Sequence, residues 1–386
     1  MGSKLRAGLV SHRWAYLQKF CWRDSNTITR EDVLPLSFLR AEIIVVIDLT
    51  IGRYVANGWL DSLIKLCTET LRHLNLSGLK PYFINPFCSI TKRIFNLVMQ
   101  IPANQLQTLD LSGIGLNHSQ LMALADRFPG LIHARSIKPF LTFCPRVMRS
   151  TVGSDALEQI QIQCPELKEL EIDEMRSFSA NAWNGLVANL TCLEKLVIGG
   201  KCSGKIRSIG RLGALTYLEI NVGASLTDSL IRSIGISCPK LKGLHLTDPY
   251  GMSRLSDKSG LRHLARLTNL ERLALNEVHF LSDSSLRLIA DSNPNLKSLS
   301  LAICINITDN SLVHLLIKCK QLKALDISGL QLATTKTLVQ VQRNVNIIEK
   351  ALLPARKKDS TPLFQLWRRN CKELWENTNP WLSIYQ

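Results

Sequence analysis

The chain has 386 residues, with 47 lysines and arginines against 31 aspartates and glutamates, so its formal net charge is +16. Hydrophobic residues make up 46% of it, but no apolar run approaches the ~20 residues that cross a bilayer, and we expect no membrane span. The eleven cysteines are an odd number, are far apart and form no C-x-x-C pair. This favours a reducing compartment, the cytoplasm or the nucleus, and argues against secretion and a structural zinc site.

The N-terminal segment, residues 1–36, contains the phrase L-V-S-H-R-W-A-Y-L from Leu9 to Leu17, and a second tryptophan follows five residues later. The phrase resembles the last third of an F-box, a small helical module that docks on the adaptor subunit of a cullin-type ubiquitin ligase. The resemblance implies four adaptor-docking residues: Val10, Trp14, Leu17 and Trp22. The L-P-x-E start of an F-box is missing, so the segment is either a truncated F-box or a helical cap.

Residues 37–330 repeat a phrase of the form L-x-x-L-x-(L/I). Nine clear copies begin at leucine: Leu71, Leu106, Leu167, Leu193, Leu215, Leu241, Leu270, Leu296 and Leu322. A weaker copy begins at Ile44 and a degenerate one at Leu131. The last four clear copies start 29, 26 and 26 residues apart, and this period is typical of a leucine-rich repeat solenoid. We expect the first, fourth and sixth positions of each strand phrase to be buried and their neighbours to face outward.

A helix signal follows several of these strand phrases. It is clearest where Thr308 or Asp309 can cap a helix whose apolar face contains Leu312, Leu315 and Cys319. The same order recurs near residues 226 and 281. The sequence therefore predicts an α/β fold, a right-handed leucine-rich repeat solenoid with a curved parallel sheet, outer helices and a helical cap at each end.

Cysteines recur three residues before a strand leucine, at Cys164, Cys238 and Cys319. Together with the phrase C-x-x-I-T-D from Cys304 to Asp309, they resemble the cysteine-containing repeats of F-box and leucine-rich-repeat proteins, most strongly over residues 155–330. The resemblance implies the substrate-recognition subunit of a cullin-type ubiquitin ligase, which binds a protein substrate on its concave face. Only Cys304 matches the cysteine or asparagine that this class often has nine positions into the repeat, so several loops must satisfy their backbone groups differently.

In a solenoid of this kind the outward strand positions carry function, because the leucines only build the core. Strands about 4.8 Å apart place these positions in rows that can hold an extended partner. The middle of this face leans acidic, which favours a basic or hydroxyl-rich peptide, although an ordinary solvated face is an alternative. We predict seven partner-binding residues: Glu169, Glu171, Asp173, Tyr217, Glu219, His245 and Arg272.

The sequence offers no convincing catalytic group. No nucleophile or anion-binding loop accompanies the glutamates and the histidine on the predicted concave face. The stretch from Gly199 to Lys205 fits G-x-x-x-x-G-K, but Ile206 stands where a P-loop needs serine or threonine to hold magnesium. We therefore expect a protein that is not an enzyme and that has no metal and no cofactor.

Residues 331–386 differ in composition from the repeats. Residues 331–350 predict one helix, residues 354–360 a basic linker, and the remainder an amphipathic helix rich in tryptophan. Terminal repeats need a cap with a polar outer face, so we expect a C-terminal helical cap and tail; a docking element for a partner is the alternative.

Two alternatives to the ligase subunit stay open. One is a repeat scaffold or adaptor without ligase function. The other is a basic adaptor associated with nucleic acid, which only the net charge favours, since the positive residues lie at the termini, on helices and in loops. Outside its complex we expect a monomer.

Overall fold

The computed structural model describes residues 19–21, 46–48, 64–76, 89–111, 116–136, 154–222, 226–247, 255–334, 336–337, 340 and 350–352, apart from residues 66, 104, 117, 132, 258 and 259. The chain divides into two compact units, Met1–Ser203 and Gly204–Gln386.

The first unit is a parallel sheet, with described helices between the strands from β3 to β7. Its described strands are β1 (Lys19–Cys21), β2 (Val46–Asp48), β3 (His73–Asn75), β4 (Thr108–Asp110), β5 (His133–Ser136), β6 (Glu169–Ser179) and β7 (Lys195–Ser203). Each strand pairs in parallel with the next one in the chain. The helices that follow β3 to β6 are α1 (Ser89–Val98), α2 (His118–Arg127), α3 (Ser154–Gln163) and α4 (Ala180–Asn189).

The second unit repeats the same plan. Its described strands are β8 (Tyr217–Asn221), β9 (Gly243–Thr247), β10 (Arg272–Asn276), β11 (Ser298–Ser300), β12 (Ala324–Asp326) and β13 (Lys350–Leu352), again paired in parallel in chain order. Between them lie α5 (Asp228–Ser237), a 3₁₀ helix (Leu261–Arg266), α6 (Asp283–Ser292) and α7 (Asp309–Lys318). The predicted α/β leucine-rich repeat architecture is confirmed.

The repeating leucines form the core between sheet and helices. In the strand phrase that begins at Leu241, Leu241, Leu244 and Leu246 are at most 1% exposed. The facing side of α5 contributes Leu230 and Ile234, which are fully buried. A fully buried leucine contributes about 1.5–3 kcal/mol, so the inward register that the sequence predicts supplies the main stabilisation.

Polar caps start the three α-helices α5, α6 and α7 of the second unit. Thr227, Ser282 and Thr308 each accept a hydrogen bond from a backbone N–H two or three residues further on. Thr308 is therefore the N-cap of α7, and Asp309 is the first residue of that helix. Such a cap satisfies one of the unpaired N–H groups of the first turn and contributes about 1 kcal/mol.

The recurring cysteines are buried and act as small core residues. The thiols of Cys164, Cys238 and Cys319 lie 3.5–3.6 Å from backbone carbonyl oxygens of the preceding turn, those of Phe128, Leu212 and Asn293 respectively. Burial raises the pKa of Cys238 to about 12 and that of Cys164 to about 11. Because only the thiolate is a strong nucleophile, these residues are chemically inert near neutral pH.

Two strands lie outside the predicted limits of the repeats, residues 37 and 330. Strand β1 falls in the segment predicted to be helical, and β13 falls near the end of the predicted helix at residues 331–350. Both belong to degenerate copies of the strand phrase, L-x-x-F-x-W from Leu17 and I-x-x-A-x-L from Ile348. Leu17 precedes Ile44 by 27 residues and Ile348 follows Leu322 by 26, which matches the repeat period.

The remaining predictions about the chain ends fall on residues without a described structure. Val10, Trp14, Leu17 and Trp22 lie outside the described residues, and so do the predicted linker at 354–360 and the amphipathic helix after it.

Candidate functional site

In each unit the paired strands have a second face, opposite the core leucines. This face carries the third, fifth and seventh positions of the strand phrases. In the second unit this face holds a line of polar side chains that hydrogen bond to one another from β8 to just beyond β12. We call this set the polar ladder; its members are Tyr217, Glu219, Asn221, His245, Thr247, Asn276, Ser300, Asp326 and Ser328.

Glu219 is the first buried charge of the ladder, with 3% of its surface exposed. Its carboxylate accepts hydrogen bonds from the Tyr217 hydroxyl at 2.9 Å and from Asn221 Nδ2 at 3.0 Å. His245 Nδ1 lies 3.4 Å from Glu219 Oε1. Burial by itself would raise the pKa of Glu219, but the contact with His245 and these hydrogen bonds outweigh it, so the pKa lies below its ordinary value.

The imidazole of His245 has a polar neighbour at each nitrogen. Nε2 lies 3.0 Å from Thr247 Oγ1 and 3.3 Å from Asn276 Nδ2. These contacts fit an imidazole that carries a proton on Nδ1. That N–H points at Glu219, and Nε2 accepts a hydrogen bond from the Asn276 amide. The ring is 4% exposed, and these contacts fix its orientation.

The ladder continues through Asn276 to β11 and β12. Ser300 Oγ lies 2.6 Å from Asn276 Oδ1 and 3.1 Å from Asp326 Oδ2. One hydroxyl carries one proton, so Ser300 donates to only one of these oxygens at a time. Asp326 Oδ1 accepts from the backbone N–H and the hydroxyl of Ser328, at 3.0 and 2.7 Å.

Tyr217 and Arg272 meet across a glycine. Gly243 lies between them on the middle strand of three, in register with both. A Cβ on Gly243 would lie 2.5 Å from Tyr217 Cδ2, so the ring occupies the space that any other residue would need. The Arg272 guanidinium carbon is 5.5 Å from the Tyr217 ring centroid, a geometry suited to a cation–π contact.

The predicted residues of the first unit form a smaller cluster. Glu169 and Glu171 lie on β6, and the carboxylate of Glu171 forms an ion pair with Lys195 on β7. The side chains of Lys195 and Glu171 are 28% and 24% exposed. Asp173 is also on β6, but its side chain is outside the described residues.

Glu219 and His245 have the predicted register, since they are directly paired on β8 and β9. The expectation that both side chains face solvent is not met. Both are buried, because their neighbours on the second face cover them. The half-exposed or exposed side chains around them are Tyr217, Asn221, Thr247, Asn276 and Arg272. Glu219 and His245 hold Tyr217, Asn221, Thr247 and Asn276 in position.

Sequence reasoning missed Asn221, Thr247 and Asn276. The signal that could have found them is a polar residue at the seventh position of consecutive strand phrases, directly after the last core residue. These side chains reach sideways to the fifth position of their own strand or of a neighbouring one.

Two general features of the described residues bear on function. Among them, no group of three or more histidine, cysteine, aspartate or glutamate residues is arranged to hold a metal ion. No helix in the described ranges is both long enough and apolar enough to cross a membrane.

No protein-family model matches the chain, and neither does any curated protein. Solved structures do resemble it. A chain in the crystal structure of the Rad7 and Elc1 complex in yeast is 19% identical, with a TM-score of 0.49 over 78% of this chain and 82% of that chain. An internalin from Listeria monocytogenes is 17% identical, with a TM-score of 0.47 over 83% of this chain and 77% of that chain. At such values neither likeness carries an argument about function, and the fold assignment rests on the repeat geometry described above.

Proposed function

We propose that this chain is a protein-interaction scaffold that holds an extended segment of a partner protein along the second face of its second unit. The polar ladder is the observation that carries the proposal. Its donors and acceptors are already held in place by one another, so a partner would lose little additional side-chain entropy on binding. The proposal assigns no catalytic step to the chain.

The chemistry of the surface suggests the partner. Tyr217 and Arg272 offer a ring and a guanidinium, and Asn221 and Asn276 offer amide groups that can bond a peptide backbone. The carboxylate of Glu219 lies directly behind Tyr217 and Asn221. This combination fits a segment rich in hydroxyl or basic side chains.

Selection of short random peptides on the purified full-length chain tests this proposal. We expect the selected peptides to be hydroxyl-rich or basic and to bind Tyr217→Ala/Arg272→Ala at least tenfold more weakly, about 1.4 kcal/mol. The matched control is Lys195→Ala, which removes a charge from the second face of the first unit. If the peptides bound both variants with equal affinity, at unchanged thermal midpoints, the binding site would lie elsewhere.

We further propose that the scaffold serves as the substrate-recognition subunit of a cullin-type ubiquitin ligase in the cytoplasm or nucleus. The cysteine-containing repeat pattern and the F-box-like phrase around Trp14 support this role. Free, mostly buried thiols are consistent with a reducing compartment, and the seven cysteines whose side chains the structure describes are all free.

Affinity purification of the intact chain from cells, read for the cullin and its adaptor, tests the ligase role. The variant is Val10→Ala/Trp14→Ala, which leaves intact Leu17 and Trp22, the first and sixth residues of the degenerate strand phrase that contains β1. Recovery of cullin and adaptor with the intact chain, and loss with this variant while other partners stay bound, is the expected result. Absence of both proteins from the intact chain would leave a scaffold without ligase function.

A further inference from the structure

The turns that lead into the strands form one edge of the second unit, and this edge is strongly basic. Residues 211–216, 237–242, 266–271, 291–297 and 317–323 carry eight exposed basic side chains and two acidic ones, Glu271 and Asp291. We call the eight the basic edge: Arg211, Lys240, Lys242, Arg266, Lys297, Lys318, Lys320 and Lys323. The corresponding turns of the first unit are balanced, with Arg72, Arg127 and Lys168 against Glu69, Asp126, Glu166 and Glu194.

Helix electrostatics explains only part of the basic edge. Basic side chains in the last turn of a helix are stabilised by its negative carboxyl end. Arg266 and Lys318 lie in such last turns, whereas α5 and α6 have no basic residue there. Of the other six, five lie beyond the ends of α5, α6 and α7, and Arg211 precedes β8 with no helix between it and β7. These six need a different explanation.

The acidic residues at the opposite edge of the second unit are already engaged. Asp228, Asp257, Asp283 and Asp309 each accept hydrogen bonds from a residue of the next turn of the solenoid. At the basic edge the recorded ion pairs are exposed: Lys297 with Glu271 at 2.8 Å and Lys318 with Asp291 at 3.8 Å. Exposed pairs of this kind are worth at most about 1 kcal/mol, so an incoming anion competes with them easily.

We propose that the basic edge is a second interaction surface, separate from the polar ladder, and that it binds an acidic polypeptide segment. Lys242, Lys297 and Lys323 take the same place in the phrases of β9, β11 and β12, and Glu271 holds that place on the intervening β10. Adjacent parallel strands are about 4.8 Å apart, and an extended peptide advances about 3.3–3.6 Å per residue. Long lysine side chains therefore reach carboxylates spaced along one extended segment.

Two features favour a carboxylate partner over nucleic acid. Six of the eight basic residues are lysines. The lysine ammonium is a point charge and cannot form the two parallel hydrogen bonds by which an arginine guanidinium binds phosphate. The five turns contain no aromatic residue, whereas surfaces that bind single-stranded nucleic acid stack bases on aromatic rings.

Fluorescence anisotropy of a labelled oligoglutamate peptide on the purified full chain tests the proposal. The variant is Lys240→Gln/Lys242→Gln/Lys320→Gln. The control, Lys92→Gln/Lys205→Gln/Arg207→Gln, removes the same number of exposed positive charges from outside the edge. We expect binding to weaken at least tenfold in the variant and less than twofold in the control. An oligoglutamine peptide of equal length should not bind.

Three outcomes would overturn the proposal. Absence of binding at low salt would show that the edge does not bind acidic segments. Equal weakening in both triple variants would show attraction by net charge alone. Tighter binding of a single-stranded oligonucleotide than of oligoglutamate, with loss in the variant, would assign the edge to nucleic acid. None of these results bears on the polar ladder, which remains testable with Tyr217→Ala/Arg272→Ala.

Discussion

The two units share one repeat but use the second face of the sheet differently. In the second unit the polar side chains of β8 to β12 join in one hydrogen-bonded ladder. In the first unit the described contacts on this face are separate pairs, such as His73 with Thr108 at 3.0 Å and Glu171 with Lys195. The described leucines of the strand phrases are at most 5% exposed in the first unit and at most 2% exposed in the second, so the difference does not lie in the core phrase.

Repeat length also differs between the units, but it does not account for the difference on this face. The strand phrases of the second unit start 26, 29 and 26 residues apart and then 26 again, whereas those from Leu71 to Leu167 start 35, 25 and 36 apart. Equivalent phrase positions pair directly in both units, as Thr108 with His133 in the first and Glu219 with His245 in the second. The register of β6 against β7 slips only beyond Ile172. The difference therefore lies in the residues at the outward positions, such as Val197 at the fifth position of β7.

The core of the first unit is also less completely filled at one place. A partly open cavity of about 40 Å³ lies beside α2 and α3, lined by apolar residues that include Leu124, Ile160 and Leu170. Interiors normally have few voids of this size, because each lost contact forfeits dispersion energy. The cavity adjoins the degenerate phrase that begins at Leu131.

The largest expected effect tests whether both units depend on the same core. Leu244→Ala in the second unit and Leu170→Ala in the first should each lower the free energy of unfolding by about 2–5 kcal/mol, because each leaves a cavity. Urea denaturation followed by circular dichroism measures the loss. Leu288→Ala, at a side chain 43% exposed, is the control and should change it by less than about 0.5 kcal/mol. A similar loss in all three would refute the inward register.

A second prediction concerns the aspartates that connect helix starts in the second unit. Asp283 accepts from the backbone N–H of Thr308 at 2.9 Å and from the hydroxyl of buried Ser311. Asp283→Ala leaves these donors without their acceptor and should lower the free energy of unfolding by about 1–3 kcal/mol. Asp291→Ala, which removes only exposed contacts to His314 and Lys318, should change it by less than about 1 kcal/mol. Equal effects in the same denaturation assay would show that the cap connections are not structural.

The polar ladder makes an acid-dependent prediction. The pKa of Glu219 is lowered in the folded chain, so its contribution to stability is complete above the unfolded value of about 4.3 and is lost as pH falls through the folded value. Glu219→Gln should therefore have a lower thermal midpoint than the parent at neutral pH, and the gap should narrow below about pH 4. Midpoints measured from about pH 7 to about pH 3 test this expectation.

The control for the acid series is Glu171→Gln in the first unit, whose side chain is 24% exposed. Its midpoint should differ little from that of the parent at neutral pH, because a partly exposed ion pair is worth little. If the thermal midpoints of the two variants shifted alike, Glu219 would contribute no more to stability than a carboxylate in an isolated surface ion pair.

The smallest expected effect is a gain in stability at a strained turn. Ile303 has φ +60°, and so does Glu277 one turn earlier, while Gly329 at the next turn has φ +73°. A β-branched residue tolerates this left-handed region poorly, whereas asparagine adopts it readily. Ile303→Asn should raise the free energy of unfolding by about 0.5–1 kcal/mol.

The control for this turn is Ile317→Asn. Ile317 is similarly exposed, at 53% against 45% for Ile303, but it lies in α7. The substitution should give no gain, because asparagine is a poorer helix former than most residues. A gain in both variants would attribute the effect to lost surface hydrophobicity instead of backbone strain.

The amino-acid sequence determined the repeat, the inward leucines, the buried cysteines and the caps of the helices. These features follow from local periodicity, which a single strand phrase or helix face displays in full. Even the direct pairing of Glu219 with His245 follows from counting positions in adjacent phrases.

Only the tertiary structure decided which outward residues are covered and which side chains meet. Burial of Glu219 depends on Tyr217, Asn221 and His245 together, and contact between Tyr217 and Arg272 depends on the space above Gly243. Strands β1 and β13 likewise form from phrases with phenylalanine, tryptophan or alanine in place of leucine. A neighbouring strand supplies the hydrogen bonds that such weak phrases need, and no local pattern records whether that neighbour is present.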